Sequence, residues 1–308
     1  MKELWVEKYR PKTIEGYVFK DEQQKKQVTK WIKEKTIPHL LFSGSAGIGK
    51  TTLAKVLFNE LDVNPLDILE INASRTNSVE DVRDRITNFV KMIPFGDFKV
   101  VLLDEADYLS VNAQAALRGV MEEYHHIARF IMTCNYPNKI IPALHSRCQG
   151  FHISKIDHVE FTARVAEILV NENVEVDLDI LDTYVKATYP DLRKCINMIQ
   201  ANSNDGVLLA PSEGDSGVAD WKLEMVELFK EGNIQAAREL LCGSIRAEEM
   251  EDVYRWLYSN LELLGHNKKQ QDQAVLIIKQ GLVDHTLVVD PEINLAAVLI
   301  RLASNLEG

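Results

Sequence analysis

The chain has 308 residues, 46% of them hydrophobic and 26% charged, and a formal net charge of −11. That length suits two or three globular domains. No apolar run approaches the roughly 20 residues of a membrane helix, and the charged opening MKELWVEKYR excludes a secretory signal, so a cytosolic location or its equivalent is expected. Cys134, Cys148, Cys195 and Cys242 form no C-x-x-C pair, which argues against a zinc module or disulfide framework and leaves four reduced, mostly buried thiols. Charge is uneven along the chain: residues 1–155 carry 22 Lys and Arg against 19 Asp and Glu, whereas residues 156–308 carry 13 against 27. An acidic whole can thus present a basic face on its first half.

In chain order, HLLFS (39–43), KVVLL (99–103) and ARFIMTCN (128–135) read as buried parallel strands. KTTLAKVLFNEL and NAQAALRGVMEEY, between them, have apolar residues at helical spacing, so strands and helices alternate as in a doubly wound α/β sheet. After residue 155 helical periods dominate, in HVEFTARVAEILVNENV, DLDILDTYVKATY and DLRKCINMIQANS. The Gly-, Ser- and acid-rich APSEGDSGVAD (210–220) marks a linker, and four amphipathic segments follow it. The expected organisation is an α/β domain at 1–153, a small helical domain at 154–209, the linker, and an all-helical unit at 221–308.

GSAGIGKT (44–51) matches G-x-x-x-x-G-K-[ST] between an expected strand and an expected helix. Gly44, Gly47 and Gly49 let backbone N–H groups turn toward phosphate oxygens, with Thr52 in the first helical turn. Lys50 reaches the β and γ phosphates of ATP and Thr51 holds Mg²⁺. VVLLDEAD (100–107) ends an apolar strand in Asp104, placed to order the Mg²⁺ shell, and Glu105 is positioned to polarise the attacking water. The letters DEAD suggest a helicase, but the helical remainder offers no second domain of that kind. Asn135, at the end of the third strand, has two readings: it holds the lytic water, or it caps a turn. Arg147, in ALHSRCQG, also has two: a solvated or salt-bridged loop arginine, or a finger offered to another subunit's ATP. No carboxylate lies near it in PALHSRCQGFHI.

Taken together, WVEKYRP (5–11), GSAGIGKT, DEAD, AALRGVMEE, TCN and SRC resemble the small subunits of AAA+ sliding-clamp loaders, the replication factor C family and its viral counterparts. The similarity spans essentially residues 1–200, and SRC about 40 residues after DEAD is its most specific feature. It implies an AAA+ core with a helical lid and a C-terminal collar. It also implies that Tyr9, Arg10 and Pro11 neighbour the adenine, Asn135 is a sensor on the sheet, Arg193 a second sensor in the lid, and Arg147 the trans-acting finger. The lack of a four-cysteine module favours the archaeal, eukaryotic or phage branch. The location becomes cytoplasmic, nuclear in a eukaryote, or host cytoplasm for a phage.

The resemblance further implies DNA contacts from Arg75, Ser78, Arg83 and Arg118, Ser78 being a good N-cap for the following helix. Two departures fall here. Asn77 stands where relatives have a basic residue, and Gly119 replaces the second arginine of the central helix. The implied activity is ATP-dependent opening of a ring clamp and its loading onto primer-template DNA. The implied partners are other clamp-loader subunits in a pentameric ring or spiral, the sliding clamp, and that DNA. Another AAA+ DNA-remodelling ATPase, a branch-migration motor or an initiator, and a non-catalytic ATP-bound scaffold are the alternative readings.

Overall fold

The computed structural model describes residues 3–75, 79–153, 156–210, 221–244, 250–285 and 287–307. By its contacts the chain divides into two compact units, Met1–Ile168 with Tyr189–Asn197, and Leu169–Thr188 with Met198–Gly308. The division runs through the helices of the segment expected as a small helical domain.

In the first unit, α1 (Trp5–Lys8) and α2 (Glu22–Lys33) precede β1 (Leu40–Ser43) and α3 (Lys50–Glu60). Then follow β2 (Ile68–Asn72), α4 (Val79–Lys91), β3 (Lys99–Asp104), α5 (Val111–Glu123), β4 (Ala128–Cys134), α6 (Pro142–His145) and β5 (Gln149–His152). The strands form one parallel sheet in the order β2-β3-β4-β1-β5. Sequence reading finds β1, β3 and β4 because each holds a run of three or four consecutive apolar residues. It overlooks β2 (ILEIN) and β5 (QGFH), the two edge strands, whose polar residues break the run.

Strand alternation decides which helices cover which face. Leu40, Phe42, Val100, Leu102 and Ile131 point to the α2 and α3 side, against Val28, Trp31, Leu53 and Leu57. Their chain neighbours Leu41, Val101, Leu103, Phe130 and Met132 point the other way, against Val82, Ile86 and Phe89 of α4 and Leu117, Val120 and Met121 of α5. Both faces are thus closed, which explains why the central strands lack polar alternation.

Helix α7 (His158–Asn171) and α9 (Leu192–Ala201) each have residues in both units, with α8 (Leu178–Thr188) between them in the second. A hairpin of β6 (Ser203–Asn204) and β7 (Val207–Leu208) follows. Beyond the linker lie α10 (Trp221–Lys230), α11 (Ile234–Ser244), α12 (Met250–Ser259), α13 (Lys268–His285) and α14 (Pro291–Glu307). Among the described residues these are five helices, where the sequence suggested four amphipathic segments. Their core is apolar (Phe229, Leu257, Leu299) and includes a buried polar link in which Asn294 donates to Tyr254 Oη at 2.8 Å and to the Gly281 carbonyl at 2.9 Å.

Candidate active site

The parallel sheet brings the C-terminal ends of β1, β3 and β4 side by side, and the phosphate-loop chemistry gathers there. Gly44, Gly47 and Gly49 have φ of 151°, 72° and 92°. Glycine is required at Gly44, where a Cβ would lie 2.0 Å from the Ile153 carbonyl oxygen. At Gly47, which has positive φ, a Cβ would lie 1.8 Å from Asp191 Oδ1. Asp191 itself is fixed, accepting the Lys194 N–H at 2.9 Å at the start of α9.

Lys50, the first residue of α3, is buried and donates to the Gly44 carbonyl (2.9 Å), the Ser45 carbonyl (2.6 Å) and Asn135 Oδ1 (2.7 Å). Burial lowers its pKa, an effect that the nearby acids Asp104 and Asp107 oppose. Thr51 donates to Asp104 Oδ1 at 2.7 Å, and Thr133 donates to the same oxygen at 2.6 Å. Thr133 also accepts the Glu105 N–H at 3.0 Å, so one hydroxyl ties the Asp104 carboxylate to the Glu105 backbone.

Glu105 adopts φ 58°, a left-handed conformation that costs a non-glycine residue on the order of 1–3 kcal/mol. Around it, Asp107 Oδ2 accepts the N–H groups of Asn135 (3.2 Å) and Tyr136 (3.1 Å), so the turn after Glu105 holds the end of β4. Further out, Gln114 bridges α5 to the loop after β4, donating to the Leu109 and Lys139 carbonyls and accepting the Ile141 N–H at 2.8 Å.

Tyr9, Arg10, Pro11, Gly47, Gly49, Thr52 and Arg193 line one cleft beside the loop, together with Tyr17, Ile48, Arg164 and Ile196. All of these belong to the first unit. Arg10 pairs with Glu7, and Arg164 donates to the Tyr9 carbonyl at 2.9 Å, closing the N-terminal segment over the cleft. Sequence motifs point to neither Tyr17, Arg164 nor Asp191, since each acts from outside any motif. Asp107 is visible only as the last letter of DEAD, and nothing in that letter reveals its hydrogen bonds.

Arg147 lies elsewhere. In the sheet Leu40 pairs with Gln149, so Arg147 lies before the start of β5 while the phosphate loop begins after Ser43. Four strand residues, about 13 Å at ~3.3 Å each, therefore separate the level of β5's first residue from the loop, farther than an arginine side chain extends. One Arg147 nitrogen donates to the Ala143 carbonyl at 2.7 Å, and another pairs with Glu122 near the end of α5. The carboxylate missing from Arg147's own stretch of sequence thus comes from 25 residues upstream.

Of the residues expected at DNA, Arg75, Arg83 (on α4) and Arg118 (on α5) are exposed. Ser78 and Asn77 lie outside the described residues. Nothing stands within 4 Å of the place a Cβ would take at Gly119, so space does not require that glycine. The turn after α4 carries Met92, Ile93 and Phe95, respectively 57%, 87% and 72% exposed. Beneath them Asp67, fully buried, accepts the Phe95 and Gly96 N–H groups at 2.8 Å each and pairs with buried Lys99 at 3.2 Å. The turn is therefore held rigidly while presenting apolar side chains to solvent. No described helix is long and apolar enough to cross a membrane.

Residues 40–155 match the ATPase family associated with various cellular activities (AAA). A replication factor C small subunit from Sulfurisphaera tokodaii is 36% identical over 311 residues, covering 97% of this chain and 95% of that protein. One from Methanococcus maripaludis is 40% identical over 314 residues, covering 98% and 99%. The chain belongs to the replication factor C small-subunit family. Among solved structures, a Thermotoga maritima RuvB Holliday junction branch migration motor superposes with a TM-score of 0.55 at 17% identity, covering 80% of each chain. A variant of the same protein reaches 0.58 at 16% identity, covering 81% of this chain and 90% of that one. At such identity the likeness is one of AAA+ fold. The replication factor C family membership rests on the nearly full-length relatives, and it extends over the helical second half as well as the ATPase domain.

Proposed function

We propose that this chain is the ATP-hydrolysing subunit of a DNA polymerase sliding-clamp loader, working beside other loader subunits on a ring clamp. The observation that carries the reading is the separation of the ATP machinery from Arg147. Lys50, Thr51, Asp104, Glu105 and Asn135 cluster at one edge of the sheet, while the finger residue stands beyond the other end of β5 and β1. A chain built this way completes an active site only when a second subunit supplies the arginine, which calls for head-to-tail, heterologous contacts.

Within that site each residue has a distinct task. The cleft holds the base between the Tyr9–Pro11 segment and Ile48, with Arg193 reaching the phosphates. Lys50 exchanges its loop carbonyls for phosphate oxygens. Thr51 and Asp104, whose oxygens lie 2.7 Å apart at the start of α3, suit Mg²⁺, which takes few protein oxygens and when bound neutralises phosphate charge. Glu105 and Asn135 orient a water on the γ-phosphorus; its oxygen bonds there and its proton leaves by way of the Glu105 carboxylate as the bond to the β-phosphate oxygen breaks, yielding ADP and phosphate. Arg147 of the neighbouring subunit stabilises the transferring group.

The primed-DNA substrate and the pentameric assembly follow the family pattern. Exposed Arg75, Arg83 and Arg118, on the more basic half of the chain, supply sequence-independent phosphate contacts. The rigid apolar turn of Met92, Ile93 and Phe95 is the surface we assign to the clamp. The test is clamp-loading itself: the assembled complex should place a labelled clamp on primed circular DNA only with ATP, with hydrolysis rising when clamp and primed DNA are both present. Hydrolysis stimulated by four-way junctions and indifferent to a clamp would favour a branch-migration motor instead.

A further inference from the structure

Tyr17 does not appear in any phosphate-loop chemistry, yet it stands in the wall of the cleft. Its side chain is 6% exposed and packs edge-on to Phe19 with ring centroids 4.8 Å apart. Its ring edge packs against Gly49, with Cε2 3.1 Å and the hydroxyl 3.3 Å from the position a Cβ there would occupy. That hydroxyl is buried and has no hydrogen-bond partner. Leaving a buried hydroxyl unsatisfied is unfavourable, so such a group in a folded protein needs an explanation. A phenylalanine would fill the same space among the same apolar neighbours without that cost.

We infer that Tyr17 is a nucleotide-recognition residue, its hydroxyl donating a hydrogen bond to an acceptor atom of the bound nucleotide. The inference rests on reading the cleft as the ATP site. Burial raises the pKa of the phenol, which keeps it a donor throughout the physiological range. The tyrosine then stores a deficit in the free protein that nucleotide relieves. Position against Gly49, the residue before Lys50, leaves two sources for the acceptor: the base and ribose, or the phosphates.

Tyr17→Phe separates this from a packing role, because the two effects of losing the hydroxyl have opposite signs. Without nucleotide the variant should melt higher than wild type, by about 1–4 °C. Its ATP affinity, measured by calorimetry on the full chain, should nevertheless fall about tenfold, the worth of one such bond at 1.36 kcal/mol per decade. Adenosine and ADP serve as probes: a matching loss for adenosine places the acceptor on base or ribose, and a loss seen only with ADP places it on a phosphate. A Tyr17→Phe protein that binds ATP, ADP and adenosine as wild type does would overturn the inference, whatever its melting temperature. If wild type itself bound no ATP, or bound it equally well as Lys50→Ala, the reading of the cleft would fail instead.

Discussion

The placement of Arg147 yields a quantitative test. Because the phosphate loop opens at the far end of β1 from it, Arg147 cannot serve its own nucleotide, and its present partners are the Ala143 carbonyl and Glu122. That ion pair leaves 31% of the Arg147 side chain and 48% of the Glu122 side chain exposed, so breaking it costs about 1 kcal/mol or less. A finger arginine is worth about 10³ to 10⁵ in rate, or roughly 4–7 kcal/mol of barrier at 1.36 kcal/mol per decade. The developing phosphoryl charge therefore outcompetes Glu122 by a wide margin. Arg147→Ala should lower steady-state hydrolysis in the assembled, clamp- and DNA-stimulated complex by about 10³-fold or more. Lys50→Ala, which removes the phosphate cation, should be comparably inactive. Mixed in equal amounts before assembly, the two should recover activity, because an interface works when an intact Lys50 on one side meets an intact Arg147 on the other. Random assembly produces that pairing at about one in four interfaces between copies. With subunit mixing verified by co-purification of differently tagged copies, a mixture that stays silent would refute the trans geometry. So would an Arg147→Ala protein that retains more than a tenth of wild-type turnover.

Four further outcomes follow from the same geometry. Thr133→Val removes the hydroxyl shared by Asp104 and Glu105 and should cut kcat about 10²-fold while ATP affinity stays within a few-fold, as it leaves the cleft intact; an equal loss in affinity would show that Thr133 shapes binding instead. Gly119→Arg meets no steric obstacle and replaces a mid-helix glycine, so it should stabilise α5 by about 0.5–1 kcal/mol and steepen the salt dependence of DNA binding by about one unit; an unchanged salt slope would remove α5 from the DNA path. Phe95→Ser or Ile93→Ser should weaken clamp binding about 30-fold, the effect of a 2 kcal/mol hot spot, and leave clamp-free hydrolysis alone; an unweakened clamp would exclude this turn as its dock. His39 accepts the Phe130 N–H at 3.1 Å and burial depresses its pKa from 6.5 to about 4. The unfolded chain therefore binds the proton first, and this part of the stability is complete above pH 6.5 and lost as pH falls toward 4. Melting temperatures across that window should fall less steeply for His39→Gln, and equal slopes would exclude His39 as a contributor.

Much of the site is legible in sequence because its chemistry is local. Gly44, Lys50 and Thr51 must be contiguous for a loop to wrap a phosphate at a helix start, and Asp104 and Glu105 must end an apolar strand to reach the same edge. Such constraints leave short motifs, and the resemblance to clamp-loader small subunits follows from their order. The central strands are equally legible, since burial on both faces gives each an apolar run.

The rest depends on residues that meet only in three dimensions. Glu122 reaches Arg147 across the end of α5, Asp107 holds the backbone of Asn135 from the turn after the neighbouring strand, and Asp191 closes over Gly47 from more than 140 positions away. None leaves a pattern, because any acidic residue in a helix or turn looks the same until its neighbour is known. The edge strands β2 and β5 are hidden for a related reason: an edge has one open side, tolerates polar residues, and loses the apolar run that reveals a strand. What the sequence alone determined is that a phosphate-loop motif and an acid-ended apolar strand are present, and which residues they offer to a nucleotide site. That Arg147 lies beyond reach of its own chain's phosphate loop was decided by the parallel register of β1 and β5, because a strand pairing sets distances that no spacing along the chain records.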